Sequence, residues 1–326
     1  MNINYSQFEL LPNQTLIDIF DYFDVKDLFR AFYDLNTRFN TLLQSLNNLC
    51  LTCNSNDNYL LLPYISTLIL DKNSDISLNS FPNLRHIKLL TPTYNQLNQL
   101  KFNALPYLEH LSIGYQNNHF SVHTSNLWEK IFTNGFPNLK SCKLFEPRII
   151  KTILYSEQTP SLRYLSVDKL YISSYEVILS TCPNLYFLQF TAASSIVNKA
   201  HIKAHKNLKR MIIKYINVLD PLSDRDTNLY LSYVPNLEYL TIHQYNLDDN
   251  ISKYLNYQWF ALFIQDYLPF LQRFKCYFHV FRAEELIRND EKNIVKRLET
   301  NFKQLHNNRY QSKFICNLSS LSFWEI

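Results

Sequence analysis

Glycine is almost missing: the 326 residues contain two, Gly114 and Gly135, where average usage of about 7% gives on the order of 23. Loops that cradle phosphate need glycine because backbone N–H groups must approach the anion closely. Neither G-x-G-x-x-G nor G-x-x-x-x-G-K-[ST] is therefore possible, and the G-x-S-x-G nucleophile elbow is excluded with them. Dinucleotide enzymes, Walker-type NTPases and ordinary α/β-hydrolases drop out. Asparagine, which is plentiful, is the next residue to tolerate left-handed backbone and is expected to supply the tight turns. Cysteine is sparse as well. Cys50, Cys53, Cys142, Cys182, Cys276 and Cys316 are too few and too irregular for a disulfide framework, so reduced thiols are expected. Long apolar runs are lacking: nothing approaches 18 residues, and the best, 259–264, ends at Gln265 and Asp266. The first ten residues carry no basic stretch ahead of an apolar one. With 32 Lys and Arg against 28 Asp and Glu, the balance of +4 demands neither nucleic acid nor an anionic membrane. A soluble protein of the cytoplasm or nucleus is expected.

What is present begins with helical periodicity. Pro12 sits where a helix can start, and Leu16, Ile19, Phe20 and Phe23 follow at i, i+3, i+4 and i+7. Asp24 is a candidate N-cap, after which Leu28, Phe32 and Leu35 repeat the pattern, and Phe39, Leu42, Leu43 and Leu46 repeat it again. Three such helices in residues 1–48 cannot bury three stripes completely among themselves, because so small a unit keeps much of its surface. An apolar remainder is left for a partner.

From about residue 59 a self-similar unit dominates. Pro63, Pro82, Pro106, Pro137, Pro160, Pro183, Pro235 and Pro269 each open Pro-x-[apolar]-x-x-[apolar]-x-[apolar], and Lys206 replaces the proline in one copy. The apolar triplets run Leu84, Ile87, Leu89; Leu108, Leu111, Ile113; Leu139, Cys142, Leu144; Leu162, Leu165, Val167; and Leu185, Leu188, Phe190. They continue as Leu208, Met211, Ile213; Leu237, Leu240, Ile242; and Leu271, Phe274, Cys276, with an early copy at Ile65, Leu68 and Leu70. The marker spacings of 19 to 34 residues bracket the period of leucine-rich repeats, about 20 to 29. In each unit the last two apolar positions alternate as a short strand, and the segment ahead of the proline has helical spacing. Proline stops that helix and sets up the next strand. Such units bury their faces only by stacking on neighbours. The expected fold class is α/β: a three-helix cluster over 1–48, then a solenoid over 49–280 with a parallel sheet on its concave face and helices on its convex face. Residues 281–326 form a cap or tail, with a helix expected over 282–298.

The run Leu10-Leu11-Pro12-Asn13-Gln14-Thr15-Leu16-Ile17-Asp18-Ile19-Phe20, continued by Asp21-Tyr22-Phe23-Asp24-Val25-Lys26-Asp27-Leu28, resembles an F-box over residues 8–48. The Pro-Asn-Leu-x-x-Leu-x-Leu units resemble the leucine-rich repeats that commonly follow one, and Cys182-Pro183-Asn184-Leu185 is similar to their cysteine-bearing variant. The resemblance implies a substrate-recognition subunit of a Skp-cullin-F-box ubiquitin ligase, non-catalytic and without cofactor or metal. The F-box would dock on a Skp-type adaptor, and through it on cullin and RING subunits, while the repeats hold a client protein. Carried onto this chain, the adaptor-binding positions are Leu11, Pro12, Leu16, Ile19, Phe20, Phe23 and Leu28. Two departures stand out. The family's Val-Cys and Trp in the last helix are replaced by Leu35-Asn36 and Phe39, and its internal asparagine ladder by Gln116, Pro147, Leu170, Ala193 and Ile216.

Other constellations are weaker. Cys50-x-x-Cys53 has the spacing of half a zinc site, and His119-x-x-x-His123 and His201-x-x-x-His205 place two imidazoles at helical spacing, but none has the remaining ligands. The bland reading, a structural role, is favoured for all three. On the strands, residues flanking the inward pair point to the concave side. There Lys88, Lys143, Tyr164, Phe187, Arg210, Lys214, Tyr239, Arg273 and Lys275 form a basic and aromatic strip suited to an acidic or phosphorylated client segment. A solvated face without a special partner is the alternative, since a one-residue slip of register exchanges the faces. Three further readings stay open: a repeat scaffold with a degenerate F-box and no ubiquitin role, a single-strand nucleic-acid groove against which the small net charge argues, and an enzyme, for which no cluster at meaningful spacing is recognisable. No membrane partner is expected.

Overall fold

Proline at the second position of a β-turn has its backbone angle already set. The chain uses this repeatedly: the N–H of the leucine two residues past the proline donates to the carbonyl just before it, as in Leu84 to Phe81, Leu139 to Phe136, Leu185 to Cys182, Leu237 to Val234 and Leu271 to Leu268. After the turn, two successive N–H groups share one carbonyl of the preceding unit. Arg85 and His86 donate to Ser66, Tyr186 and Phe187 to Arg163, Lys209 and Arg210 to Tyr186, and Glu238 and Tyr239 to Lys209. The strands that follow these turns thus start at the same offset from their neighbours, and the result is parallel pairing in chain order within each unit.

The computed structural model describes residues 7–46, 49–53, 64–71, 76–101, 103–114, 121–144, 158–193, 203–216, 230–246, 264–281, 289–306 and 309–319. The chain clusters into two compact units, Met1–His123 and Thr124–Ile326. In the first unit, α1 (Asn13–Phe20), α2 (Val25–Phe32) and α3 (Thr37–Ser45) precede β1 (Cys50–Cys53), β2 (Thr67–Leu70), β3 (His86–Leu89), the short helix α4 (Tyr94–Gln99) and β4 (His110–Ile113). The four strands pair in order and in parallel. Asp24 caps α2 by accepting from the N–H groups of Lys26 and Asp27, and Asn36 caps α3 by accepting from Phe39. Leu16, Phe20, Leu28, Phe39 and Leu43 form the helical core, with the Phe32 ring 4.8 Å from that of Phe20 and 5.4 Å from that of Phe8.

The second unit opens within α5 (Ser121–Phe132) and continues through β5 (Ser141–Leu144), β6 (Tyr164–Tyr171), α6 (Ile172–Thr181), β7 (Phe187–Ala193), β8 (Arg210–Ile216), β9 (Tyr239–Asn246) and β10 (Arg273–Phe281). It closes with α7 (Asn289–Leu305) and β11 (Gln311–Ser319). All seven strands run parallel in chain order. The fold is α/β and solenoid-like. Each strand buries its alternate apolar residues, for example Leu165 and Val167, Leu188 and Phe190, Met211 and Ile213, and Leu240 and Ile242. The helix ahead of a proline is present in α5, where Leu127, Trp128, Ile131 and Phe132 are buried, and in α6, where Val177 and Ile178 are. The C-terminal stretch adds a further strand of the same set: β11 pairs with β10 over nine residues, and Phe302 of α7 sits 5.0 Å from Phe274 and 5.5 Å from Phe314. The helix expected over 282–298 is described from Asn289 and runs on to Leu305.

Among the described residues left-handed backbone falls to Asp34 (φ 64°) and Asn134 (φ 58°), not to glycine. Asn134 ends α5, and the next N–H, that of Gly135, reaches back to the Lys130 carbonyl at 2.7 Å. The two glycines instead serve close approach. A Cβ on Gly114 would lie 2.2 Å from the Leu90 carbonyl oxygen, and one on Gly135 2.6 Å from that of Lys130.

Candidate functional site

Two surfaces follow from this architecture. The first is the helical cluster. Its entry turn is held by Arg38 of α3, whose guanidinium donates to the carbonyls of Glu9 and Leu11 and, through Nε, to Asn13 Oδ1 at 2.9 Å. Asn36 Nδ2 donates to Glu9 Oε1 at 2.9 Å. The Leu11-Pro12 segment is therefore fixed by the third helix. The seven residues implied for the adaptor divide: Leu16, Phe20 and Leu28 are in the core, Leu11 and Ile19 are half-buried, and Pro12 and Phe23 are exposed. The buried three hold the helices together, since an amphipathic stripe faces its own neighbours first. The apolar surface actually offered adds Leu10 (72% exposed), Tyr22 (91%), Tyr33 and Leu35 (60%). Leu10, Tyr22 and Tyr33 escaped the sequence reading because they lie off the i, i+3, i+4 stripe; their size in a turn-rich context was the available signal. Phe39, at the family's tryptophan position, is buried 5.6 Å from Phe32.

The second surface is the outward side of the strands. None of the nine strip residues is buried. Lys88 is on β3 in the first unit, and the other eight are on strands of the second. There the parallel register aligns Tyr164, Phe187, Arg210, Tyr239 and Arg273 in one row across β6 to β10. Rings meet rings at one end of the row and cations at the other: Tyr164 lies 6.3 Å from Phe187, the Arg210 guanidinium 4.6 Å from the Tyr239 centroid and 5.6 Å from that of Tyr186, and Arg273 5.4 Å from the same Tyr239 ring. These are cation–π distances. Thr191 is buried, opposite a bulge between Val167 and Lys169 of β6 that shifts the pairing by a residue.

Further along the same face, Lys214 of β8 is registered with His243 of β9 and that with Tyr277 of β10. Burial lowers the Lys214 pKa, with Asp168 opposing the shift and Lys143 adding to it. His243 Nδ1 and His279 Nε2 are 3.0 Å apart, and each imidazole stacks on a tyrosine, His243 on Tyr277 at 4.6 Å and His279 on Tyr245 at 4.3 Å. Burial, then the neighbouring His279 and Lys214, bring His243 down to about 4. Burial, then Lys214, lowers His279 as well, so at neutral pH both rings are uncharged and one donates to the other.

The cysteine and histidine motifs take other roles. Burial raises the Cys142 and Cys182 thiols, the latter to about 12, which keeps both protonated and poor nucleophiles. Cys50 is exposed on β1, and the side chain of Cys53 lies outside the described residues. Among the described residues no group of three or more His, Cys, Asp and Glu could hold a metal ion. His119, His123 and His201 fall outside the described side chains. His205 is not helical: it sits in the turn where Lys206 stands for proline, and Leu208 N–H donates to its Nδ1 at 3.0 Å. Its Nε2 therefore carries the proton and donates to the Cys182 carbonyl at 2.9 Å. Its own N–H donates to the Tyr233 carbonyl at 2.7 Å. One residue, through its ring and its backbone N–H, ties three successive units. No helix among the described residues is long and apolar enough to cross a membrane. Set against models of known protein families and against curated proteins, the sequence matches none.

Proposed function

We propose that the chain is a non-catalytic receptor in which the helical cluster recruits a Skp-type adaptor of a cullin-RING ubiquitin ligase and the strand face captures a client protein. The observation that carries this reading is the pairing of two unlike surfaces in one chain. An apolar one, with Leu10, Tyr22, Phe23 and Leu35 exposed, sits on three helices whose sequence has the Leu-Pro and Asp-x-x-Asp-Leu spacing of an F-box. A basic and aromatic one is laid out on parallel strands. Amphipathic helices with exposed anchors suit a groove on a partner, and cations interleaved with rings suit a polar segment. A second reading, a repeat scaffold with no ubiquitin role, draws on Asn36 and Phe39: one caps α3 and the other is buried, so neither offers the surface group that the family pattern has there.

The test uses the full chain. Tagged protein is expected to retain a Skp adaptor from eukaryotic lysate, and Tyr22→Ser with Leu35→Ser to lose it at least tenfold without a change in denaturation midpoint. Normal folding with no adaptor retained by the unaltered chain would leave the scaffold reading standing instead.

A further inference from the structure

The row Arg210, Tyr239 and Arg273 has a chemistry the rest of the strand face lacks. Two guanidiniums, from strands on either side of β9, lie against one tyrosine ring, at 4.6 Å and 5.4 Å from its centroid. Stacking on an aromatic face fixes the plane of a guanidinium while leaving its N–H fork free. Among the described residues no carboxylate pairs with either: Glu238, in the turn just before Tyr239, is joined to Lys209 at 3.0 Å, and Asp168, on the outward side of β6, acts on Lys214. Positive charge continues beyond Arg273. Lys275 follows Arg273 by two residues and is registered with Lys313 of β11, and both are exposed. A cavity of about 450 Å³ is lined by Arg273, Lys275 and Lys313. Its acidic lining residue, Glu299, is bonded to Lys303 at 2.5 Å.

Two forks held without counterions at one place call for a ligand with more than one acceptor edge. A carboxylate has one such edge and fills one fork. A phosphate monoester carries close to two negative charges at neutral pH and three terminal oxygens, enough to engage both. A nucleic-acid strand would instead need cations spaced evenly along a track, whereas on the other side of Arg210 the row continues with Phe187 and Tyr164, which carry no charge. We propose that Arg210, Tyr239 and Arg273 form a phosphate subsite that seats a phosphorylated side chain of an extended protein segment, with Lys275 and Lys313 meeting acidic residues on one flank and Phe187 and Tyr164 an apolar residue on the other. This rests on the reading that the outward strand face is where a partner binds.

The experiment measures fluorescence anisotropy of the full chain with three probes near 0.15 M salt: a degenerate peptide library with a fixed central phosphoserine, the same library with serine, and a twelve-residue oligothymidylate. The phosphoserine library is expected to bind at least tenfold more tightly than the serine library. Arg210→Gln with Arg273→Gln should abolish that ratio. Arg210→Lys with Arg273→Lys should restore it in part, because an ammonium supplies charge but neither fork nor stacked plane. Lys101→Gln, exposed in the other unit and outside the strip, should leave it unchanged. Both arginines are exposed, so equal denaturation midpoints will separate lost binding from lost folding. Equal binding of the two libraries, or a preference that survives the double glutamine change, overturns the proposal. So does oligothymidylate binding as tight as that of the phosphoserine library through the same two arginines, in favour of a nucleic-acid groove. Adaptor retention, read separately on the same protein, distinguishes failure of this subsite from failure of the receptor reading.

Discussion

His205 shows how a single side chain can substitute for a lost proline. Where its neighbours close the turn on the carbonyl just ahead of the proline, this unit has Lys206, and the His205 ring takes the Leu208 N–H while donating to the unit before. Only a neutral imidazole can accept and donate at once, and burial lowers the His205 pKa below its ordinary 6.5. His243, His279 and His306 are lowered for the same first cause. In the unfolded chain these groups take up protons near pH 6.5, before the folded ones do, so the unfolded state binds more protons in that window. Stability is expected to be full above pH 6.5 and to fall as the pH drops toward the folded value, about 4 for His243. Urea midpoints from pH 7.5 to 4.5 measure this, and a flat profile contradicts it. His205→Ala should cost about 1–3 kcal/mol at pH 7.5, since it leaves buried backbone groups without a partner. Gly114 is the other intolerant position. An added methyl meets the Leu90 carbonyl, and Gly114→Ala should lower stability by about 1–3 kcal/mol through overpacking against backbone that cannot move aside cheaply.

At the scale of elements, the units are tied together by asparagine, though from a different place than the family pattern uses. Asn184 donates to the Pro160 carbonyl at 2.8 Å, Asn207 to that of Pro183 at 2.9 Å, and Asn236 to that of Lys206 at 3.0 Å. Arg309 reaches the Pro269 carbonyl in the same manner at 2.6 Å. At these three turns the asparagine thus binds the turn to the one before it, and the positions where the repeat pattern it resembles has asparagine hold Leu170, which is buried, or Ala193 and Ile216, which are half-exposed. Asn207→Ala should cost about 0.5–1.5 kcal/mol, the net worth of one such bond, read as a shift of denaturation midpoint at constant slope. The repeated motif was legible as a period, but the ladder was not: nothing local in Pro-Asn-Leu says that its amide reaches across 24 residues. Arg38 teaches the same lesson on the helices. Arg38→Ala should free the Leu11-Pro12 turn and weaken adaptor retention more than it weakens folding, whereas Arg38→Lys should recover little, having no fork to share between the Glu9 and Leu11 carbonyls.

Over the whole molecule, stability is expected to follow nearest neighbours, because strands are bonded to the units next to them in the chain. In the second unit β7 and β8 each pair on both edges, while among the described residues β11 pairs only with β10. Amide hydrogen exchange should be slowest in β7 and β8 and faster in β11; uniform protection across the strands would contradict a modular array. The two-residue alternation of strands and the 3.6-residue alternation of helices are properties of the local backbone, so the sequence by itself determined the succession of units, the parallel strands from β2 to β10 and which residues of their repeated core turn inward, down to Leu188 and Phe190 against Phe187 and Gln189; β1 and β11, outside the repeated motif, emerged only in the structure. Only the tertiary structure decided which stripe residues of the helices stay inside, with Leu16 and Phe20 buried and Tyr22 exposed, and that Arg210 and Arg273 share the Tyr239 ring. Those outcomes depend on register between segments some 30 residues apart, which is set by the meeting of whole faces and leaves no trace in any local pattern.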